Sequence, residues 1–207
     1  MAVGRTDISG NDFGDIFASA VQGTHFSKPL GIVDVENVAT GWSVKTVKTQ
    51  SNLDNIRHVR LISGRNSPTY STQLDNVRDD PQATGEAVLA IWNARYRIAA
   101  EKYNDIRTVV LIRNMGTQTF RLFEVPTAPF PAVEYTWSYN SKNNLEGREK
   151  GTGQHCFTWQ PHGSQFTVIR HIPASSRRFS IDRVVNAVSV EAILELSNYS
   201  DDWITIE

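Results

Sequence analysis

Residues 31–48 read Gly31-Ile32-Val33-Asp34-Val35-Glu36-Asn37-Val38-Ala39-Thr40-Gly41-Trp42-Ser43-Val44-Lys45-Thr46-Val47-Lys48. They form two short β-rich runs around a polar turn, with two acids on the first run and a lysine on the second. Asp34 and Glu36 alternate with Val33 and Val35, so both carboxylates leave one face of the first strand and the valines the other. Ser43, Lys45 and Val47 share a face of the second strand. Directly opposed residues of an antiparallel pair lie on the same side of the sheet. A four-residue turn, Asn37 to Thr40, therefore sets Glu36 opposite Gly41 and gathers Asp34, Glu36, Ser43 and Lys45 on one face. A five-residue turn closed at Gly41 sends Lys45 to the reverse face unless a bulge corrects the register. Against any special role stands the plain reading, polar positions of a half-exposed hairpin.

Two acids and a lysine suit metal-assisted phosphoryl chemistry. Hard oxygen ligands hold Mg²⁺, often few from the protein and the rest from water and phosphate. The ion offsets charge in a phosphoryl transition state, and an adjacent lysine orients the attacking water or stabilises the developing anion.

On these residues the stretch resembles the PD-(D/E)xK nuclease superfamily, in which an Asp on one strand is followed roughly ten residues later by acid-x-Lys on the next. Asp34 matches the first acid and Lys45 the lysine, while Ser43 stands where the second acid is expected. The likeness is close over residues 31–48 and looser over 1–125, as helix, hairpin, helix, strand. It implies an α/β (α+β) fold with a mixed central sheet flanked by helices, restriction-endonuclease-like, and a Mg²⁺-dependent endonuclease of the type II restriction kind. In that expectation Asp34 and Glu36 hold the metal, Glu36 replacing the missing acid, Lys45 positions or activates water, and Ser43 lines the site. A cytoplasmic homodimer on double-stranded DNA accompanies it, since two-fold protein symmetry suits a palindromic target. A non-catalytic nucleic-acid-binding or protein-interaction domain on a decayed nuclease fold is the alternative that Ser43 leaves open.

The 207 residues, 40% of them hydrophobic, suffice for one sizeable domain. Cys156 is the single cysteine, so no intramolecular disulfide can form, and no long apolar run or leader-like start is present. A soluble intracellular protein is expected. The net charge of −1 excludes the strongly basic class of non-specific nucleic-acid binders; a DNA enzyme of this composition has to concentrate its cations in a cleft. Arg57, Arg60, Arg65 and Asn66 suit a phosphate track, with Arg177 and Arg178 as a further basic pair.

Along the chain, Asn11 is expected to cap a helix over 12–22, with Asp15 on its polar side. A short strand is expected at 59–62, then an irregular loop over 63–79. Asp80-Pro81 opens a long helix to about Lys102, whose apolar face holds Val88, Leu89, Ile91, Trp92, Arg95, Tyr96 and Ala99. Strands follow at 107–113 and 119–125. From Pro126 the chain turns aromatic and β-rich, with strands expected at 133–139, 155–160, 165–172 and 178–181, a loop over 141–153, a helix over 189–196 and an apolar tail at 203–206. One domain, with a catalytic core to residue 125 and a β-rich extension over 126–207, is the expected organisation. In that extension the turn between two aromatic strands carries Gln160, His162, Ser164 and Gln165, amide, imidazole and hydroxyl groups suited to base edges. His155, Cys156 and His162 match no zinc spacing. Walker, dinucleotide-binding and acyl-transfer signatures are absent.

Overall fold

A computed structural model describes residues 7–181 except 73 and 75, together with 192, 195 and 196. The helix expected over 189–196 and the tail at 203–206 lie outside this description. Helix α1 (Gly10–Ala20) begins earlier than expected because Ser9, not Asn11, is its cap. The Ser9 hydroxyl accepts from the Asp12 N–H and the Asp12 carboxylate accepts from the Ser9 N–H, at 3.1 and 2.8 Å. This reciprocal pair satisfies donors that the first helical turn leaves open.

Strands β1 (Thr24–Leu30), β2 (Val33–Asn37) and β3 (Thr40–Lys48) run antiparallel in succession. The chain then leaves this sheet for β4 (His58–Arg65), a short α2 (Pro68–Thr72) inside the stretch expected to be irregular, and the long α3 (Pro81–Ala100). Asp80 caps α3, its carboxylate accepting from the Ala83 N–H at 2.9 Å. Strand β5 (Asp105–Asn114) returns parallel to β3, and β6 (Thr119–Pro126) folds back on it. Strands β7 (Tyr135–Tyr139), β8 (Leu145–Glu149), β9 (His155–Gln160) and β10 (Gln165–His171) form a meander, and β11 (Arg177–Ser180) ends the described strands.

The result is α+β, but with two sheets where one mixed central sheet was expected. A mixed six-stranded sheet has the order β1-β2-β3-β5-β6-β11, and an antiparallel five-stranded sheet the order β4-β10-β9-β8-β7. The division expected at residue 125 is crossed twice: β4, from the first part, pairs with β10, and β11, from the second, pairs with β6. The β-rich segment is therefore woven into the whole and is not an extension.

α1 covers one face of the mixed sheet, where Phe13 packs with Val109, Leu111 and Phe120. The opposite face meets the second sheet. Val110, Ile112 and Phe123 pack on Val59 and Leu61 of β4, and α3 lies between the sheets with Val88, Leu89 and Trp92 against Trp137, Phe157, Trp159 and Phe166. Val88 and Leu89 are fully buried; such side chains contribute about 1.5–3 kcal/mol each. The expected apolar face of α3 is thus core, and it fixes the helix where its Arg95 reaches the space between the sheets.

Candidate functional site

Strands β2 and β3 pair at Asn37–Thr40, Glu36–Gly41 and Val35–Trp42, around a two-residue turn in which Val38 takes φ +32°. Glu36 opposite Gly41 is the register that puts Asp34, Ser43 and Lys45 on a common face. Beyond Val35 no further pair forms, and a side chain takes over from the ladder. The Val44 N–H donates to Asp34 Oδ2 at 2.8 Å. The same oxygen accepts from Lys45 Nζ at 3.1 Å and, more weakly, from Ser43 Oγ at 3.4 Å. Asp34 thus replaces a backbone partner where two strands separate, and Lys45 is held beside it. In the parallel ladder Ser43 faces Thr108 and Lys45 faces Val110, so this face looks toward α3 and the second sheet.

The three side chains line a cleft of about 170 Å³ between the sheets. Its other walls are Gly31 and Ile32 from the β1–β2 turn, Trp92 and Arg95 from α3, Ser63 and Gly64 from β4, and Val168 and Arg170 from β10. The turn comes close to the helix: Gly31 sits at φ +64°, and a Cβ there would lie 2.2 Å from the Arg95 carbonyl oxygen. Only glycine combines that backbone conformation with that approach. Arg95 Nη2 donates to the Ser63 carbonyl at 2.7 Å and to Asn66 Oδ1 at 2.6 Å. Burial holds the Arg95 pKa below the usual arginine value.

Glu36, expected as the second metal ligand, is engaged elsewhere. Its Oε2 accepts from Lys102 Nζ at 2.6 Å and from the Tyr103 hydroxyl at 2.5 Å. The Lys102 ammonium, with the Tyr103 hydroxyl, holds its carboxyl below the usual glutamate range. The physical reason lies at the end of α3: the chain turns there through Lys102 and Tyr103 and closes over the far end of β2. Among the described residues Asp34 is the one carboxylate lining the cleft, and no group of three or more His, Cys, Asp or Glu gathers. Mg²⁺ bound through one or two carboxylates takes its remaining ligands from water and substrate phosphate. Asp34 Oδ1 is without a hydrogen-bond partner among the described residues, so a single-carboxylate site of that kind fits the donor set; the two-acid site does not. Asp15, the further acid on α1, is bonded to His25 at 2.7 Å.

The residues expected to contact DNA separate into distinct groups. Arg57, Arg60 and Arg65 are exposed but spread along β4 and its approach. Gln165 pairs with both Arg65 and Gln160, and the Asn66 N–H donates to the Ser164 carbonyl at 2.8 Å. Arg65, Gln160, Ser164 and Gln165, distant in sequence, therefore meet at one end of the second sheet, with exposed His162 at the turn's tip. Asn66 is corrected from DNA contact to fold post. It is fully buried, its amide donates to the Val88 carbonyl and accepts from Arg95, and its own carbonyl accepts from Trp159 Nε1. No polar group of Asn66 is left for a ligand.

Arg95 and Arg170 were not anticipated in the site, although a signal existed. Arg95 stands on the apolar stripe of α3, and Arg170 continues the inward parity of Phe166 and Val168 on β10. A basic residue at a core-facing position has to meet something there.

No protein family, no curated protein and no solved structure matches this chain. Among the described residues no helix is long and apolar enough to cross a membrane.

Proposed function

We propose that the protein is a Mg²⁺-dependent endonuclease of the PD-(D/E)xK kind, hydrolysing DNA phosphodiester bonds. The observation that carries this reading is Lys45 Nζ at 3.1 Å from Asp34 Oδ2, on adjacent strands facing one cleft. The support is local to this hairpin, since the two-sheet α+β architecture, with β1, β4 and α2 interrupting the order helix, hairpin, helix, strand, is not the restriction-endonuclease-like arrangement that the resemblance implies. Asp34, with Ser43 beside it, would hold the metal, which when bound offsets phosphoryl charge and lowers the pKa of coordinated water. Asp34 fixes the Lys45 ammonium at the cleft wall. Lys45 orients the attacking water and stabilises charge developing on the phosphoryl oxygens, in a site whose apolar walls, Ile32, Trp92 and Val168, limit solvent. A cytoplasmic homodimer reading a palindrome through Arg65, Gln160, His162, Ser164 and Gln165 completes the proposal.

The test is incubation of the purified protein with plasmid and Mg²⁺, against an EDTA control and Lys45→Ala. Cleavage that requires Mg²⁺ and is lost in the variant, with duplex binding retained, is expected; unchanged cutting by Lys45→Ala refutes the assignment. A second reading, a nucleic-acid-binding domain without catalysis, is favoured by Ser43 at the acid position and by the engagement of Glu36. A salt-dependent shift of labelled duplex without cleavage at any Mg²⁺ concentration selects it.

A further inference from the structure

The cleft holds more positive charge than its carboxylate can balance. Arg95, Arg170 and Lys45 line it, and Asp34 is paired with Lys45. Both arginines are half-buried, and a charge partly withdrawn from water is ordinarily met by a carboxylate or a full set of acceptors. Neither arginine has that here. The partners of Arg95 are neutral oxygens of Ser63 and Asn66, and its Nε is buried with no acceptor. The Arg170 side chain has neither an ion pair nor a hydrogen bond among the described residues; its guanidinium lies over the Phe130 ring at 5.3 Å. Burial lowers the pKa of both, yet guanidinium stays charged throughout the physiological range. A second groove, sharing Lys45 and Leu61 with the cleft, runs between β3 and β4 and is lined by Lys45, Arg60 and Lys48, the last paired with Asp7 at 2.9 Å.

We propose that Arg95 and Arg170 form a phosphate subsite on the floor of this cleft, and that its occupant is a phosphate of a nucleic-acid strand continuing along the Lys45–Arg60 groove. Guanidinium offers a planar fork of donors matched to phosphate oxygens; the Arg170 fork has no hydrogen bond among the described residues, and the Arg95 guanidinium beside it in the cleft wall carries a charge that only neutral oxygens meet. Arg95 is fixed by the bend at Ser63–Asn66, where Gly64, at φ +99°, leaves room that a Cβ would remove, at 2.3 Å from Arg95 Nη1. The subsite is therefore preorganised by the fold. The proposal rests on the nuclease reading only for the identity of the occupant.

The experiment measures binding without metal, in EDTA, so that it is independent of cleavage. Thermal unfolding of the full chain is followed in inorganic phosphate against chloride at matched ionic strength, and a labelled oligonucleotide is titrated at several salt concentrations. The variant is Arg170→Gln, which breaks no hydrogen bond among the described residues, and far-ultraviolet circular dichroism establishes that it is folded. The expected result is a phosphate-dependent rise in Tm that Arg170→Gln abolishes, and oligonucleotide binding weakened about tenfold, with the salt slope reduced by about one phosphate contact. A phosphate response absent from the wild type, or unaltered in Arg170→Gln, overturns the subsite. A response to free phosphate lost in Arg170→Gln, with oligonucleotide binding unchanged, overturns the strand as occupant. Loss of the nuclease reading registers separately: Arg170-dependent binding with no Mg²⁺-dependent cleavage leaves the subsite standing and removes the enzyme.

Discussion

Gly31→Ala tests how the cleft is held together. Gly31 joins β1 to β2 three residues before Asp34 and rests on the α3 backbone at Arg95. A methyl group there would lie 2.2 Å from the Arg95 carbonyl oxygen, about 1.2 Å inside the 3.4 Å at which ordinary contact begins, and the backbone sits at φ +64°. The left-handed conformation costs a non-glycine residue about 1–2 kcal/mol, and forcing a methyl into a packed site costs about 1–3 kcal/mol more. The sum, about 2–5 kcal/mol, is a large fraction of the roughly 5–15 kcal/mol that stabilises a native domain. It corresponds to a fall in Tm of roughly 4–20 °C for a chain of this size. The control is Gly151→Ala, where nothing lies within 4 Å of the added carbon and φ is not positive; surface changes of this kind stay within about 0.5 kcal/mol. Urea denaturation with m held common to wild type and variants gives both numbers. If Gly31→Ala is as stable as Gly151→Ala, the turn does not press on α3 and the account of the cleft wall is wrong.

Further outcomes follow from individual side chains. Asn66→Ala should destabilise by about 2–4 kcal/mol in urea, because the Val88 carbonyl and the Arg95 guanidinium lose their buried partner; duplex affinity lost by a variant still fully folded would return Asn66 to the DNA contacts. Glu36 has a pKa held below its unfolded value, so the stability it contributes is complete above the ordinary glutamate range and is lost as pH falls through the lower, folded value. Glu36→Gln should therefore flatten Tm against pH below about 4.3, and an unchanged acid limb speaks against the Lys102–Tyr103 cluster. Ser43→Asp sets a second carboxylate beside Asp34 in a largely buried position. It should lower Tm in EDTA by like-charge repulsion, recover it with Mg²⁺, and shift cleavage to lower Mg²⁺; a Tm indifferent to Mg²⁺ counts against a metal at Asp34.

What was legible in the sequence was local. The hairpin announced itself through alternation and a polar turn, α3 through Asp80-Pro81 and its apolar stripe, and β5 and β6 through an apolar centre followed by Asn114-Met115-Gly116. β1 did not, since Lys28 and Pro29 interrupt any alternation; it is tolerated because it lies at the edge of its sheet. β8 hid inside a charged stretch because Leu145 and Gly147 alone face the core, Gly147 lying beneath Trp137. The two-sheet architecture depends on the β4–β10 and β6–β11 pairings, which join strands far apart in the chain, and nothing local encodes them. For the site, parity placed Asp34, Ser43 and Lys45 together, but parity does not say how far along a strand each carboxylate finds its partner. Glu36 lies one pleat beyond Asp34, about 6–7 Å further along the strand, and that interval is enough for Lys102 and Tyr103 to take it.

The weaving of the two sheets bears directly on the proposed chemistry. Asn66 accepts from Arg95 in the cleft, and its backbone carbonyl and N–H bind Trp159 and Ser164 at the two ends of the turn that carries His162. One buried residue thus ties the wall that would hold a phosphate to the turn that would read a base. Among the described residues, hydrogen bonds connect that turn to Arg95 through Asn66, which is fully buried, and Arg95 also donates to the Ser63 carbonyl at the adjoining bend. Substitutions at exposed His162 should therefore change which sequence is bound while leaving phosphate binding at Arg170 intact, whereas any change at Asn66 has to disturb both. A His162→Ala variant that loses the phosphate-dependent rise in Tm would mean that the turn itself, not the woven core, shapes the cleft.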